Sequence, residues 1–174
     1  EIRLSLVGSE MCIRDSFTPL TPDMFHVALY NFDRNPDKIR NMRADSLSQC
    51  LSFSHVQPGG KYLVIDGIGG LLVGAVLERL GGFGSVHLIH DSDSPPALEL
   101  MPQYNLMPFQ THNVLKTLHW AATEKRWTLP SHMSEELSRV YTSDRERNRA
   151  RKKRANIEDF IATRQQFFEG EFDA

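Results

Sequence analysis

Cysteine is scarce: only Cys12 and Cys50 occur in 174 residues. Two cysteines without Cys-x-x-Cys spacing exclude a disulfide framework and point to a reduced intracellular compartment. Long apolar runs are also missing. The longest uncharged, largely apolar stretch runs from Gly67 to Leu77, far short of the roughly 20 residues that span a bilayer. No membrane partner is therefore expected. Glycine and proline, at 11 and 9 residues, are too few for a collagen or a low-complexity chain. The length suits one ordinary domain. No Gly-x-Ser-x-Gly elbow, Walker loop or internal repeat is present.

A large net charge is absent too, but the formal −2 hides an asymmetry. Residues 145–154 carry seven basic groups, Arg145, Arg147, Arg149, Arg151, Lys152, Lys153 and Arg154, against one acid, Glu146. Their +6 leaves −8 on the other 164 residues. A basic cluster on an acidic chain is a local device. It reads as a solvated helix face, a nuclear import signal or a set of RNA phosphate contacts. On a continuous helix, Arg145, Arg149, Lys152 and Lys153 share roughly one face.

Residues 1–16 lack periodicity and an initiator Met, and read as a non-native leader, which leaves Cys12 without meaning. Thr21-Pro22 predicts a helix start, with Thr21 as the cap and Phe25, Leu29 and Phe32 as the apolar stripe. A second helix is predicted from about Ala44 to Ser54, with Leu47, Cys50 and Leu51 on one face. Pro58-Gly59-Gly60 is a turn. Lys61 to Asp66 is a short strand whose consecutive apolar residues suggest burial on both faces. A glycine loop follows, then an apolar helix from Leu71 to Leu80 capped by Gly81-Gly82, then a strand from Ser85 to His90. Strand, glycine loop, helix, strand and acid predict an α/β fold: the start of a doubly wound parallel sheet, Rossmann-like and of methyltransferase type. Helical segments are predicted from Pro95-Pro96 to about Gln103 and from Thr111 to Lys125, the latter with Val114, Leu115, Leu118 and Ala122 on one side. From Ser131 the chain reads as polar helix. Ser143 and Glu146 form a capping-box signature, and Ile157, Phe160, Ile161, Arg164 and Phe168 a narrow apolar stripe. The predicted organisation is a leader at 1–16, connecting helices at 17–56, an incomplete sheet core at 57–128 and a basic helical insertion at 129–174. That insertion ends at what reads as the opening of another strand.

An acid followed by alternating glycines, with a second acid ending the next strand, is the S-adenosylmethionine signature of methyltransferases. Glycines are needed where backbone passes under a cofactor. Asp66 and Asp91 are the two candidate acids. The loop fits poorly: counted from Asp66, the glycine positions hold Ile68, Gly70 and Leu72. Shifting the register puts Gly67, Gly69 and Leu71 there and displaces the acid. The two readings are a working cofactor site and a sheet domain that has kept the fold and lost the site. Asp93-Ser-Pro-Pro96 reads as a helix entry. His87 and His90 have metal-ligand spacing but lie on opposite faces of a strand, so no metal site is expected.

The stretches Pro36 to Arg40, Arg43 to Gln49, Val56 to Asp66 and Gly69 to Gly82 resemble the Gcd10 family, the non-catalytic subunits of the eukaryotic tRNA (adenine-58-N1)-methyltransferase. Asp93 to Pro96 and Leu115-x-x-Leu118-His119-Trp120 resemble it too. The likeness covers residues 17–128 well. The run Gly69-Gly-Leu-Leu-Val73, ahead of Glu78-Arg79, stands where a working cofactor loop would be. The resemblance implies a Rossmann-like methyltransferase-type domain preceded in the family by a β-barrel. It also implies a catalytic partner that binds S-adenosylmethionine, a heterotetramer of two such pairs, and work in the nucleus. The non-catalytic subunit helps bind and position tRNA. This chain would then hold no catalytic residue and no cofactor. Its RNA contacts would come from the seven basic residues 145, 147, 149 and 151–154. The alternative is an active S-adenosylmethionine-dependent RNA methyltransferase using Asp66 and Asp91.

Overall fold

The computed structural model describes residues 19–92, 96–141 and 143–174. The leader at 1–16, Cys12 and the start of the Asp93 to Pro96 motif lie outside the described residues. In chain order the elements are α1 (Met24–Arg34), a 3-10 turn (Pro36–Ile39), α2 (Ala44–Phe53), β1 (Lys61–Ile65), α3 (Leu71–Leu80) and β2 (Ser85–His90). A second 3-10 turn (Met101–Tyr104), α4 (Pro108–Thr111), β3 (Leu115–His119) and a third 3-10 turn (Trp120–Thr123) follow. Helices α5 (Ser131–Ser138) and α6 (Asp144–Glu169) end the chain.

The three strands form one parallel sheet in the order β1-β2-β3. Tyr62 pairs with Val86 and Val64 with Leu88, while Val86 pairs with Leu115 and His90 with His119. Parallel neighbours need crossovers, and α3 supplies the first. It is apolar nearly all round, so it is buried: Leu71, Val73, Ala75, Leu77 and Leu80 lose all solvent contact. Gly81 in the left-handed region (φ 60°) ends it, its N–H donating to the Leu77 and Glu78 carbonyls. Gly74 is required inside this helix. A Cβ there would lie 2.4 Å from the Tyr104 ring, whose hydroxyl donates to the Leu71 carbonyl at 2.7 Å. Burial holds the Tyr104 hydroxyl well above the usual phenol range.

The sheet has two unequal faces. Tyr62, Val64, Val86 and Leu88 point to the larger core, shared with α1, α2, α3, Leu100 and Tyr104. Ile89, Leu118 and Ala122 make the smaller core, under Trp127, Phe160 and Phe167. Helix α6 lies over this second face. Arg164 anchors it there, its Nε donating to the Ala122 carbonyl at 2.9 Å and its guanidinium resting against Trp127 and Phe168. At the free edge of β1, Asp173 N–H donates to the Lys61 carbonyl and Leu63 N–H to the Ala174 carbonyl.

Several predicted elements differ. The segment predicted as helix from Thr111 to Lys125 is mainly strand β3 and a 3-10 turn. Asn113, with φ 67°, breaks the helix, and the open edge of β2 offers a full ladder of partners. Leu115 and Leu118 therefore face opposite sides of the sheet rather than one helix face. The helix predicted to about Gln103 reduces to one 3-10 turn among its described residues, because Pro102 lacks the N–H that an α-helix needs. Strand β1 is buried on one face only: Leu63 is 37% and Ile65 66% exposed. Asp23, not Thr21, caps α1, accepting from His26 N–H at 2.8 Å. That helix buries Val27, Ala28 and Asn31 and leaves Phe25 and Leu29 exposed. The buried Asn31 amide is satisfied by the Val27 carbonyl and by Gln103. In α2, Leu47 and Leu51 are buried but Cys50 is exposed. Ser143 sits at the cap of α6 without a side-chain capping bond.

Candidate functional site

The carboxyl ends of parallel strands are where a doubly wound sheet binds ligands. Here they frame a cleft of about 710 Å³ lined by Asp66, Gly67, Gly69, His90, Asp91 and Trp120, among others. Asp66 and Asp91 are therefore brought together, as the sequence suggested. Ile68 and Leu72 are not; both pack into the larger core.

The Asp66 carboxylate is turned onto its own loop. Oδ1 accepts from Ile68 N–H at 2.7 Å and Gly70 N–H at 3.2 Å, and Oδ2 accepts from Val73 N–H at 3.0 Å. It thereby satisfies amides at the start of α3 and sets a negative charge at the positive end of that helix. The helix needs this, because Gly70 at its cap position has no side chain to do so. The glycines serve packing as well. Gly70 has φ 90°, and a Cβ there would lie 3.1 Å from the Leu98 Cα. Leu100 donates its N–H to the Gly69 carbonyl at 2.9 Å and is fully buried. The backbone at Gly69 and Gly70, which a cofactor would approach, is covered by this chain's own Leu100 and Leu98, and Gly67 alone stays exposed on the cleft. These residues do not fit an S-adenosylmethionine cradle. Asp91 stays exposed on the rim. Lys38 reaches Glu99 across the rim at 3.0 Å, an exposed pair of little energetic consequence.

The two strand histidines face apart, as their spacing requires. The His90 ring meets His119 edge-on at 5.5 Å, and burial, then that neighbour, lowers its pKa. His87 lies under α6, fully buried. Burial, then Lys116 and Lys61, lowers its pKa to about 4. Neither His87 nitrogen has a hydrogen-bond partner among the described residues; Gln166 lies beside the ring, its side-chain oxygen accepting from Lys116. Among the described residues no cluster of three or more His, Cys, Asp or Glu is placed to hold a metal ion, and no helix is long and apolar enough to cross a membrane.

The basic run lies in the first eleven residues of α6, a single 26-residue helix. Six of its seven basic side chains are exposed and Arg154 is partly buried. Arg147 pairs with Asp144 at 2.6 Å and Lys153 approaches Glu136 at 4.0 Å. Arg145, Arg149, Arg151 and Lys152 have no carboxylate within 4.0 Å among the described residues. Arg154 donates to the Glu136 carbonyl at 3.1 Å and to the Arg139 carbonyl, tying α5 to α6. Sequence reading missed two partners here, Arg139 and Tyr141. Both guanidinium groups, of Arg139 and Arg154, lie 5.8 Å from the Tyr141 ring centre. An aromatic residue just ahead of a basic helix was the available signal.

Residues 14–158 match the model of the Gcd10p family. A Schizosaccharomyces pombe protein named tRNA (adenine(58)-N(1))-methyltransferase non-catalytic subunit is 30% identical over 165 residues, covering 91% of this chain and 36% of that protein. Proteins of the same name from Mus musculus and Debaryomyces hansenii are 37% identical over 78 residues and 32% over 92. They cover 45% and 52% of this chain, and 16% and 19% of their own lengths. The chain thus spans about a third or less of each of these relatives.

Proposed function

Because this chain belongs to the Gcd10p family, we propose that it is part of the non-catalytic subunit of a tRNA (adenine-58-N1)-methyltransferase, binding tRNA and supporting a catalytic partner. The observation that carries this reading is the loop after β1. Its acid caps α3, Gly69 and Gly70 are covered by Leu100 and Leu98, and only Gly67 stays exposed. A cleft so arranged offers S-adenosylmethionine neither a bare cradle nor a free first acid. The chain holds no cofactor of its own, and the methyl donor sits in the partner. The names of the relatives favour this over an active enzyme built on Asp66 and Asp91.

The finer points belong to the same proposal. Parallel order β1-β2-β3, with helices over both faces, supports a Rossmann-like, methyltransferase-type domain. The boundaries at 57–128 for the sheet and 129–174 for the helical insertion follow that reading. Arg145, Arg147, Arg149, Arg151, Lys152, Lys153 and Arg154 contact tRNA phosphates. The assembly is a heterotetramer of two unlike pairs, and it works in the nucleus. The test is methyl transfer from labelled S-adenosylmethionine to unmodified tRNA, measured with the full-length protein alone and with its catalytic partner. Activity only with the partner is expected. Activity alone would contradict the reading.

A further inference from the structure

We propose that the groove between α5 and the first half of α6 binds a single-stranded stretch of RNA, with phosphates on Arg147 and Arg151 and one unpaired base against Tyr141. This rests on the RNA-binding reading above and adds a place and a conformation for the RNA.

The seven basic residues do not form one surface. At 100° per residue, Arg147, Arg151 and Arg154 fall on one side of α6, and Arg145, Arg149 and Lys152 on another. The first side faces α5. The groove between them, about 670 Å³, is lined by Arg139, Tyr141, Arg147, Arg151 and Arg154 among others. Arg154 is committed to the α5 backbone and holds the groove in shape. Glu136 does not line it; its carboxylate is engaged by the Tyr141 hydroxyl and lies beside Lys153. Glu158 is the carboxylate at the groove. Arg151 has no carboxylate within 4.0 Å among the described residues, and Arg147 has only the exposed Asp144.

Arg147 and Arg151 are four residues apart, about 6 Å along the helix. That spacing suits neighbouring phosphates of one strand. Tyr141 supplies the second contact. Its hydroxyl is fixed by Glu136, and the Arg139 and Arg154 guanidinium groups each lie 5.8 Å from its ring centre. Aromatic and guanidinium planes are stacking platforms for bases, and only an unpaired base has a free face to lay on the Tyr141 ring. A duplex keeps its base faces stacked on one another and offers the ring none. The chemistry therefore favours single-stranded RNA over a helical stem.

The test uses the full-length protein in complex with its catalytic partner. Anisotropy with a labelled single-stranded oligoribonucleotide, and with an RNA duplex of the same length, is measured across a salt series. R147Q/R151Q is compared with R145Q/R149Q, which removes the same charge from the other side. The groove pair should lower single-strand affinity about tenfold more than the control pair. It should also reduce the slope of log affinity against log salt by about 1.4. Tyr141→Leu should weaken single-strand binding roughly tenfold at unchanged salt slope and leave duplex binding unaltered. Equal losses from the two pairs would overturn the groove while sparing the RNA-binding reading. No loss from either pair, in a complex that binds RNA, would overturn both the groove and the assignment of this helix to RNA.

Discussion

The cleft at the strand ends and the basic first half of α6 both gather charged side chains, and they use them in opposite directions. Asp66 in the cleft directs both carboxylate oxygens at amides of its own loop and of the first turn of α3, and Leu98 and Leu100 cover Gly70 and Gly69 behind it. Arg145, Arg149, Arg151 and Lys152 of α6 stand exposed, with no carboxylate within 4.0 Å among the described residues. In the first region charge stabilises the fold. In the second it remains available to something outside the chain. A doubly wound sheet ordinarily places its ligand site at the strand ends, so this inversion is what a non-catalytic member of such a fold should look like. Under the proposed function, the sheet serves as scaffold and binding moves to the surface of α6.

The largest expected effect comes from removing that surface. Replacing Arg145, Arg147, Arg149, Arg151, Lys152, Lys153 and Arg154 together by Gln should lower tRNA affinity about a hundredfold or more at low salt and flatten its salt dependence. Filter binding across a salt series checks both. An unchanged slope would put the RNA contacts elsewhere.

The second effect belongs to the packing of α6 on the sheet. His87 is buried and neutral, with its pKa lowered from 6.5 to about 4. Between those values the unfolded chain binds the proton and the folded chain does not. Stability should therefore be fully present above pH 6.5 and decline as pH falls toward 4, by about 3 kcal/mol at most. Denaturant titrations from pH 7 to 4 measure it. His87→Leu should flatten this part of the profile, and a profile unchanged by that substitution would contradict the account.

How much of this was legible beforehand depends on the element. Helix α3 and strand β2 were readable because their apolar residues are dense and glycines bound the helix. Strand β3 was not. Val114, Leu115, Leu118 and Ala122 suit a helical period, and only the open edge of β2 decides against it. The departure from the glycine pattern was visible at Ile68 and Leu72, although both side chains pack into the larger core rather than into the cleft, and the role of Asp66 was not visible. A strand-ending acid before a glycine loop reads as a ligand contact, and its use as a cap emerges only when the loop closes back on it. The seven basic residues were plain in sequence. Their division between two sides of α6 required the position of α5, which Arg154 fixes.

Smaller effects sharpen the same comparison. Asp66→Ala removes the two carboxylate oxygens that accept from the Ile68, Gly70 and Val73 N–H groups and should cost about 1–2 kcal/mol of stability, while methyl transfer by the assembled complex is retained. A thermal melt and a transfer assay on one preparation separate the two. The smallest effect is expected at Asp91, exposed on the rim. Asp91→Asn should change stability by less than about 0.5 kcal/mol and leave methyl transfer by the complex unaltered. Loss of transfer at constant assembly would restore Asp91 as a cofactor ligand.

The central claim is that the strand-end cleft does not hold the methyl donor. Equilibrium dialysis of the full-length protein without its partner, against labelled S-adenosylmethionine, tests it most directly. The account predicts no saturable binding by this subunit and one-to-one binding only when the catalytic partner is added. Saturable binding by this subunit alone, abolished by Asp91→Asn, would contradict it.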